Sequence, residues 1–496
     1  MASKYDIVII GGGLGGLLTG NILSREGLSV CVVEQAKKVG GCVQSFAKNK
    51  TIFNTGLNYT ESLGEGEILN QYFKYFKILD KLKLKQLDLN HFNKVSFSDN
   101  PLEYPFAQGH DNFIEQLSPY FRNSKKSLKE YIGTLKNICN SFPLYTLDNS
   151  SKEPMNTDFL HLNTYNYLKT VHPDKKLQNV LAGMNTLYGG VASKTPLYIH
   201  ALINYTFIKS AWRIVDGSSK LATSIASVIK ENGGDILLSS RVKKIGGENK
   251  QVKYVELENG EKIFSDKIIS NIHPSSTLNL VEEKLSKKIY KTRISSLQNT
   301  TGMFTVYMVM KDKQFPYLNH NHHYYASESA WNTNYNEKSW PNHYFMYTPI
   351  NSYSNKWANG VIAMTYMNYD EVKQWENSFV ENRGEEYLEF KRKKSELLIQ
   401  SVEKKFPKIR ESIKTYYSST PLTYRDYTGT PEGSSYGILK DSNDPLSTII
   451  TPKSRINGLY FTGQNLNLHG ILGVTVSAVL TASEIVGQDY LINKIR

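Results

Sequence analysis

The sequence predicts the α/β class, a parallel sheet assembled from separate stretches of chain and carrying an inserted α+β substrate domain. Three observations predict it. Tyr5-Asp-Ile-Val-Ile-Ile10 runs into Gly11-Gly-Gly-Leu-Gly-Gly16, a second apolar run ends at Glu34, and a third apolar run, Gly458-Leu-Tyr-Phe-Thr-Gly463, meets a glycine near the other end of the chain.

The first unit has the order of a Rossmann-type dinucleotide site. Val and Ile fill a central strand. Gly11 makes the tight exit turn, Gly13 lets a pyrophosphate approach the backbone, and Gly16 lets the following helix sit close on the strand. Leu14 opens that helix, whose unpaired N–H groups favour phosphate, and Gly27 caps it. Glu34 follows at the spacing that bonds a ribose 2′-hydroxyl and repels a 2′-phosphate, so FAD or NAD is expected rather than NADP. Residues 5 to 23 are apolar enough to imitate a membrane span or signal sequence. Six glycines, Asn21 and a basic leader no longer than Lys4 argue against both.

Composition sets outer bounds. The chain has 496 residues, enough for two to three structural units, with 40% hydrophobic and 21% charged residues, as in ordinary globular proteins. Tyr is unusual at 33 residues, many between Tyr307 and Tyr366. They line an aromatic cavity on one reading and pack an interface on the other. Net charge is +13. Lys74, Lys77, Lys81, Lys83 and Lys85 alternate with Phe76, Ile78, Leu79, Leu82 and Leu84, and Arg122, Lys125, Lys126 and Lys129 form a second basic stretch. A solvated face is the plain account, and attraction to an anionic membrane surface the sharper one. No nucleic-acid module accompanies the charge.

Cys31, Cys42 and Cys139 show no CxxC spacing, which predicts a reduced, intracellular setting. Cys31 reads as core. Cys42, beside Gly40-Gly41, is near the expected cofactor, where a covalent flavin link is the lesser reading. His320, His322 and His323 read as part of a Tyr/Asn-rich loop, with no carboxylate or cysteine close in sequence, so no metal is expected.

Along the chain, residues 60 to 205 read as mainly helical, and α/β character returns at Val215-Asp-Gly-Ser-Ser-Lys-Leu-Ala222 with a helix ending near Gly233-Gly234. Strands follow at Ile236 to Leu238, Val252 to Leu257 and Lys267 to Asn271. In the second insertion Met303 to Met310 and Val361 to Met367 read as strands and Tyr387 to Phe406 as a helix. Gly470 to Gly487 makes the closing helix. Its apolar run of about 14 residues is short of the roughly 20 a membrane span needs. A buried helix aimed N-terminus first at a flavin fits better. The expected domains are therefore 1–60, 205–290 and 415–496 for the cofactor, and 61–204 and 291–414 for the substrate.

Together these segments resemble the phytoene desaturase-like flavoproteins, most closely the retinol saturase branch with its carotenoid-isomerase relatives, over nearly the whole chain. Val33-Glu34 through Gly40-Gly41 resembles the FAD-binding entry. Thr55-Gly-Leu-Asn-Tyr59 resembles the saturase motif, with Asn58 where a histidine usually stands. Val215 to Leu221, Gly233-Gly234 and Val242 resemble the middle FAD segment, Val242 standing where the backbone meets adenine. Trp375, Arg383-Gly384, Tyr387, Phe406-Pro407, Thr420-Pro-Leu-Thr423 and Pro431-Glu-Gly-Ser-Ser-Tyr-Gly437 follow the saturase order. Phe461 to Gly473 is similar to the closing flavin motif, with Asn465 where relatives often carry aspartate.

The resemblance implies FAD, held by Gly11, Gly13, Leu14, Gly16, Glu34, Gly40, Gly41, Val242, Gly463, Gln464, Asn465, Gly470, Ile471 and Leu472. It implies an oxidoreductase acting on a carbon–carbon double bond of a lipophilic polyene or isoprenoid, saturation ahead of desaturation. A carotenoid-type isomerase, an amine or porphyrinogen oxidase, and a carrier similar to the Rab dissociation inhibitors are the alternatives. No second GxGxxG of comparable quality is present, so the electron partner, NAD(P)H, quinone or protein, is expected from outside. Tyr436, His469 or water supplies the proton, with His469 the best single side chain and a backbone-bonded structural histidine its rival. Arg425 and Asp426 face the substrate or pair with each other. The expected location is cytoplasmic, peripheral to the inner membrane.

Overall fold

The computed structural model describes residues 4–148, 158–332, 334–353 and 356–496. Five parallel strands form the nucleotide-side sheet: β1 (Ile7–Ile10), β2 (Val30–Val33), β8 (Asp235–Leu237), β9 (Ile268–Ser270) and β15 (Leu459–Phe461), in the order β8-β2-β1-β9-β15. β1 and β2 are buried throughout, as expected of strands covered on both faces. Helices α1 (Leu14–Arg25), α3 (Ser219–Glu231) and α5 (Gly470–Val486) pack together, α1 meeting both others. Start, middle and end of the chain thus meet in one sheet.

The second layer is a seven-stranded sheet. It comprises β5 (Asn93–Phe97), β6 (Glu103–Phe106), β10 (Gly302–Met310), β11 (Asn321–Tyr325), β12 (His343–Tyr347), β13 (Gly360–Met367) and β14 (Ile413–Ser419), in the order β14-β10-β13-β12-β11-β5-β6. Every pairing is antiparallel except β5 with β11. Residues 60–205 are mainly helical, as expected, but they also contribute β5 and β6. β6 pairs with β5, and β5 joins the sheet through β11, far away in sequence.

A three-stranded sheet links the layers: β3 (Thr60–Glu61), β7 (Ala211–Ile214) and β4 (Leu84–Gln86), with β7 in the middle. Arg213 on β7 is 2% exposed. Its guanidinium donates to the Tyr317 hydroxyl at 3.0 Å, the carbonyls of Leu318 and His320 at 2.8 and 3.1 Å, and Asn321 Oδ1 at 2.6 Å. A cation fastens the small sheet to the large one through neutral acceptors.

Five of the tyrosines from 307 to 366 are packing, while Tyr353 is exposed. Tyr307, Tyr325, Tyr344, Tyr347 and Tyr366 are all buried in the seven-stranded sheet and its two faces. His322 and His323 lie in β11, correcting the loop expectation, and His323 is held by the Thr186 hydroxyl at 2.7 Å. The lysines of residues 74–85 face solvent while Phe76 and Ile78 are buried, the pattern of a solvated face. Among the described residues no helix is long and apolar enough to cross a membrane.

Candidate active site

The site begins where β1 ends. Gly11 has φ +97°, and a Cβ on Gly16 would lie 2.1 Å from the Gly11 carbonyl oxygen, so the helix touches the turn only because both are glycine. Gly40 and Gly41 also have positive φ, the Gly40 N–H donates to the Gly12 carbonyl at 2.8 Å, and a Cβ on Gly41 would lie 3.4 Å from Gly13 Cα. Two glycine loops therefore close on each other backbone to backbone. The first turn of α1 carries no acidic residue and no side-chain cap, which leaves its positive end to a ligand.

The opposite edge is α5. His469 precedes it without capping it, and its first turn opens on the same cavity as α1. Of the residues expected to bind cofactor, Gly13, Leu14, Gly40, Gly41, Gln464, Asn465, Gly470, Ile471 and Leu472 line this cavity. The others stand behind it. Glu34 accepts from the N–H groups of Gly12 and Ala36, each at 2.7 Å, and so braces the glycine turn. Gly463 makes room for Asn271, whose Oδ1 would be 2.4 Å from a Cβ there. Val242 is a core residue at the start of the Val242–Glu248 strand, packed in the cluster that holds Val8 and Val33, and lies outside the cavity lining.

Two sequence expectations about the proton are altered by geometry. His469 Nε2 lies 2.7 Å from the Leu187 carbonyl, an oxygen that only accepts, so the ring proton sits on Nε2 and is held by the backbone. Burial pushes the ring pKa down to about 4, and the imidazole is neutral near pH 7. Tyr436 packs on it with ring centroids 4.3 Å apart and donates its own proton to the Thr186 carbonyl at 2.7 Å. Both side chains line the cavity, and neither aims a proton into it. Arg425 is removed from the site: it bonds Asp426 at 3.0 Å and the Tyr369 hydroxyl at 3.0 Å, and the cavity lining does not include it. Asp426 also accepts from Arg383. Cys31 is core, as read from the sequence, and Cys42 lines the cavity with its thiol pushed up to about 11 by burial, so little thiolate forms there.

The structure adds three residues that local sequence patterns did not mark. Lys440 is buried beneath the closing motif and donates to the carbonyls of Thr448, Asn465 and Leu466 at 2.8, 3.0 and 2.7 Å. Three acceptors match the three donors of an ammonium, while burial pushes its pKa down to about 7. Asn271 fills the space above Gly13, Gly15 and Gly463. Glu61, on β3, is 6% exposed and lines the cavity at the start of α5. None stands in a motif of its own, and only the fold gives each a position.

The residues present fit FAD. Besides the glycine cradle, three buried polar atoms on the cavity residues have no hydrogen-bond partner: Asn58 Oδ1, Tyr145 Oη and Ser435 Oγ. Buried polar groups are nearly always paired, so three around one cavity mark a polar ligand site. Asn465 is fixed differently, its Oδ1 accepting from the Ile438 N–H at 3.1 Å. Among the described residues no group of three His, Cys, Asp or Glu side chains could hold a metal ion.

Comparison with known proteins follows the same outline. The family model described as flavin containing amine oxidoreductase matches residues 14–486. Human all-trans-retinol 13,14-reductase is 24% identical over 534 residues, covering 98% of this chain and 86% of its own. A chloroplastic prolycopene isomerase from an Oncidium hybrid cultivar is 23% identical over 521 residues, covering 98% and 84%. A solved structure of putrescine oxidase superposes with a TM-score of 0.68 at 14% identity, over 98% of this chain and all of that one.

Proposed function

The chain belongs to the flavin containing amine oxidoreductase family, and from that premise we propose that it exchanges a hydride and a proton at a carbon–carbon double bond of a lipophilic polyene or isoprenoid, with saturation ahead of desaturation. It is an FAD-dependent oxidoreductase. The observation that carries the substrate reading is the apolar part of the cavity lining: Leu57, Leu202, Ile203, Phe207, Met303 and Met364. A long apolar chain gains by leaving water there, about 25 cal/mol for each Å² buried. The retinol reductase and prolycopene isomerase relatives, matched along nearly the whole chain, support the same class.

FAD, when bound, supplies reversible two-electron chemistry. The chain's own residues bind, orient and exclude water. Gly13, Gly40 and Gly41 would present backbone to the FAD phosphates, and the first turn of α5 would offer N–H groups to the FAD ring. Tyr436 and His469, each tied to the Thr186–Leu187 backbone, form a rigid wall. A carrier without redox chemistry is set aside by family membership.

A yellow purified protein is the first requirement. Anaerobic incubation with a reductant and a panel of polyenes, followed by mass spectrometry, should show a gain of two hydrogens. A loss of two would reverse the direction, and unchanged mass with shifted isomers would favour the isomerase reading that the Oncidium relative supports. Bleaching of the flavin by amines, with polyenes inert, would overturn the substrate class. NAD(P)H, a quinone or a redox protein is the outside electron partner, separable by which one reduces the bound flavin. We place the enzyme in the cytoplasm at the inner membrane surface, where exposed Lys74, Lys77 and Lys85 meet anionic lipid. Flotation with anionic but not neutral vesicles is the expected result.

A further inference from the structure

Among the described residues Glu61 is the one carboxyl on the lining of the active-site cavity. It reaches there from β3, whose register with β7 pairs Glu61 with Ala211 and turns the side chain toward the first turn of α5. Oε1 accepts from the Leu472 N–H at 3.3 Å and Oε2 accepts from the Thr60 hydroxyl at 3.1 Å. Among the described residues no cation pairs with it. From β7 the neighbouring charge is Arg213, and its donors point away to Tyr317, Leu318, His320 and Asn321. α5 brings only Leu472 and other uncharged residues of its first turns, and the nearby titratable groups are the phenols of Tyr59 and Tyr145. The Tyr145 hydroxyl is buried without a partner on the same cavity.

We propose that Glu61 is the acid of this cavity, a neutral carboxyl whose proton is the one exchanged with a carbon of the substrate. This rests on the double-bond reading above. The case is one of elimination by geometry. His469 and Tyr436 have their protons bound to backbone carbonyls, burial makes the Cys42 thiol and the Tyr59 and Tyr145 phenols still weaker acids, and Glu61 is the one carboxyl among the described lining residues. Burial without a counter-ion raises its pKa above the usual carboxylate range, against the hydrogen bonds from Thr60 and Leu472 that lower it, which favours the protonated form. In saturation the O–H bond breaks and the π pair of the double bond forms a C–H bond with that proton. The hydride that completes the reduction is the share of the reduced flavin, and the carboxylate recovers a proton from water. In isomerisation the same proton returns to Glu61.

Infrared spectroscopy tests the proton directly. The wild-type FAD-loaded protein at neutral pH should show the C=O stretch of a protonated carboxylic acid, shifted in D2O, absent from Glu61→Gln and kept in Glu61→Asp. Glu61→Gln should bind FAD normally, shown by its visible spectrum, and lose product formation by about a hundredfold or more. A second readout is stability against pH. With a folded pKa above the unfolded one, the acid's contribution is complete below about pH 4.3 and is lost as pH rises through the folded value, so Glu61→Gln should gain on wild type as pH increases. No carboxylic acid band lost in Glu61→Gln, or full turnover by an FAD-loaded Glu61→Gln, would overturn the proposal. If wild type changes no polyene at all, the substrate reading fails, while the band still decides whether Glu61 holds the proton.

Discussion

The two edges of the cavity are built from different materials. On the nucleotide edge the working groups are backbone: Gly11, Gly13, Gly16, Gly40 and Gly41 bring N–H groups and carbonyls within reach, and side chains such as Glu34 serve to hold the turn. On the substrate edge the working groups are side chains delivered by segments far apart in sequence, Leu57, Glu61, Phe207, Met303 and Met364 among them. A backbone site tolerates no added atoms, whereas a side-chain wall tolerates exchange at fixed volume. The first edge is thus brittle and specific for its ligand, and the second is where one scaffold changes substrate.

The largest expected effect comes from breaking the brittle edge. Gly16→Val forces a Cβ to 2.1 Å from the Gly11 carbonyl, and the protein should be insoluble or free of flavin, read as absorbance per mole of chain. Next is the joint between the edges. Arg213→Met takes away the donors to Tyr317, His320 and Asn321, the Leu318 carbonyl keeping the Thr348 hydroxyl, and should cost about 3 kcal/mol, measured by urea unfolding.

Lys440 sharpens the comparison from beneath the closing motif. Its pKa of about 7 lies below the unfolded value of about 10.4, so the unfolded chain takes up a proton that the folded one refuses. Stability relative to Lys440→Met should therefore fall as pH drops from about 10.4 to about 7, by up to about 1.4 kcal/mol per pH unit, and level off below. A flat difference across that window would show that the ammonium is accommodated. The smallest effect is expected at His469, neutral and backbone-bonded. His469→Gln should lower product formation by less than about tenfold, with no inflection near pH 6.5 in either protein.

Much of the cofactor edge was readable because its signals are local. Gly11 to Gly16, Glu34, Gly40-Gly41 and the Gly470 helix each carry their geometry within a few residues, and the structure puts most of them on one cavity. Arg425 was misplaced because its neighbour Asp426 and the distant Tyr369 take up its donors. His322 looked like loop because β11 finds its partners in β5 and β12, at long range. Tyr307 to Tyr366 stood between cavity and packing because composition does not tell the two faces of a sheet apart.

The sequence by itself determined the α/β class, the dinucleotide turn and the convergence of both chain ends on a flavin, since glycine conformation and strand hydrophobicity act over short spans. Only the tertiary structure decided which protons the backbone holds. Whether His469, Tyr436 or Glu61 can give one depends on the acceptors that distant segments place beside each, and on how completely those segments exclude water.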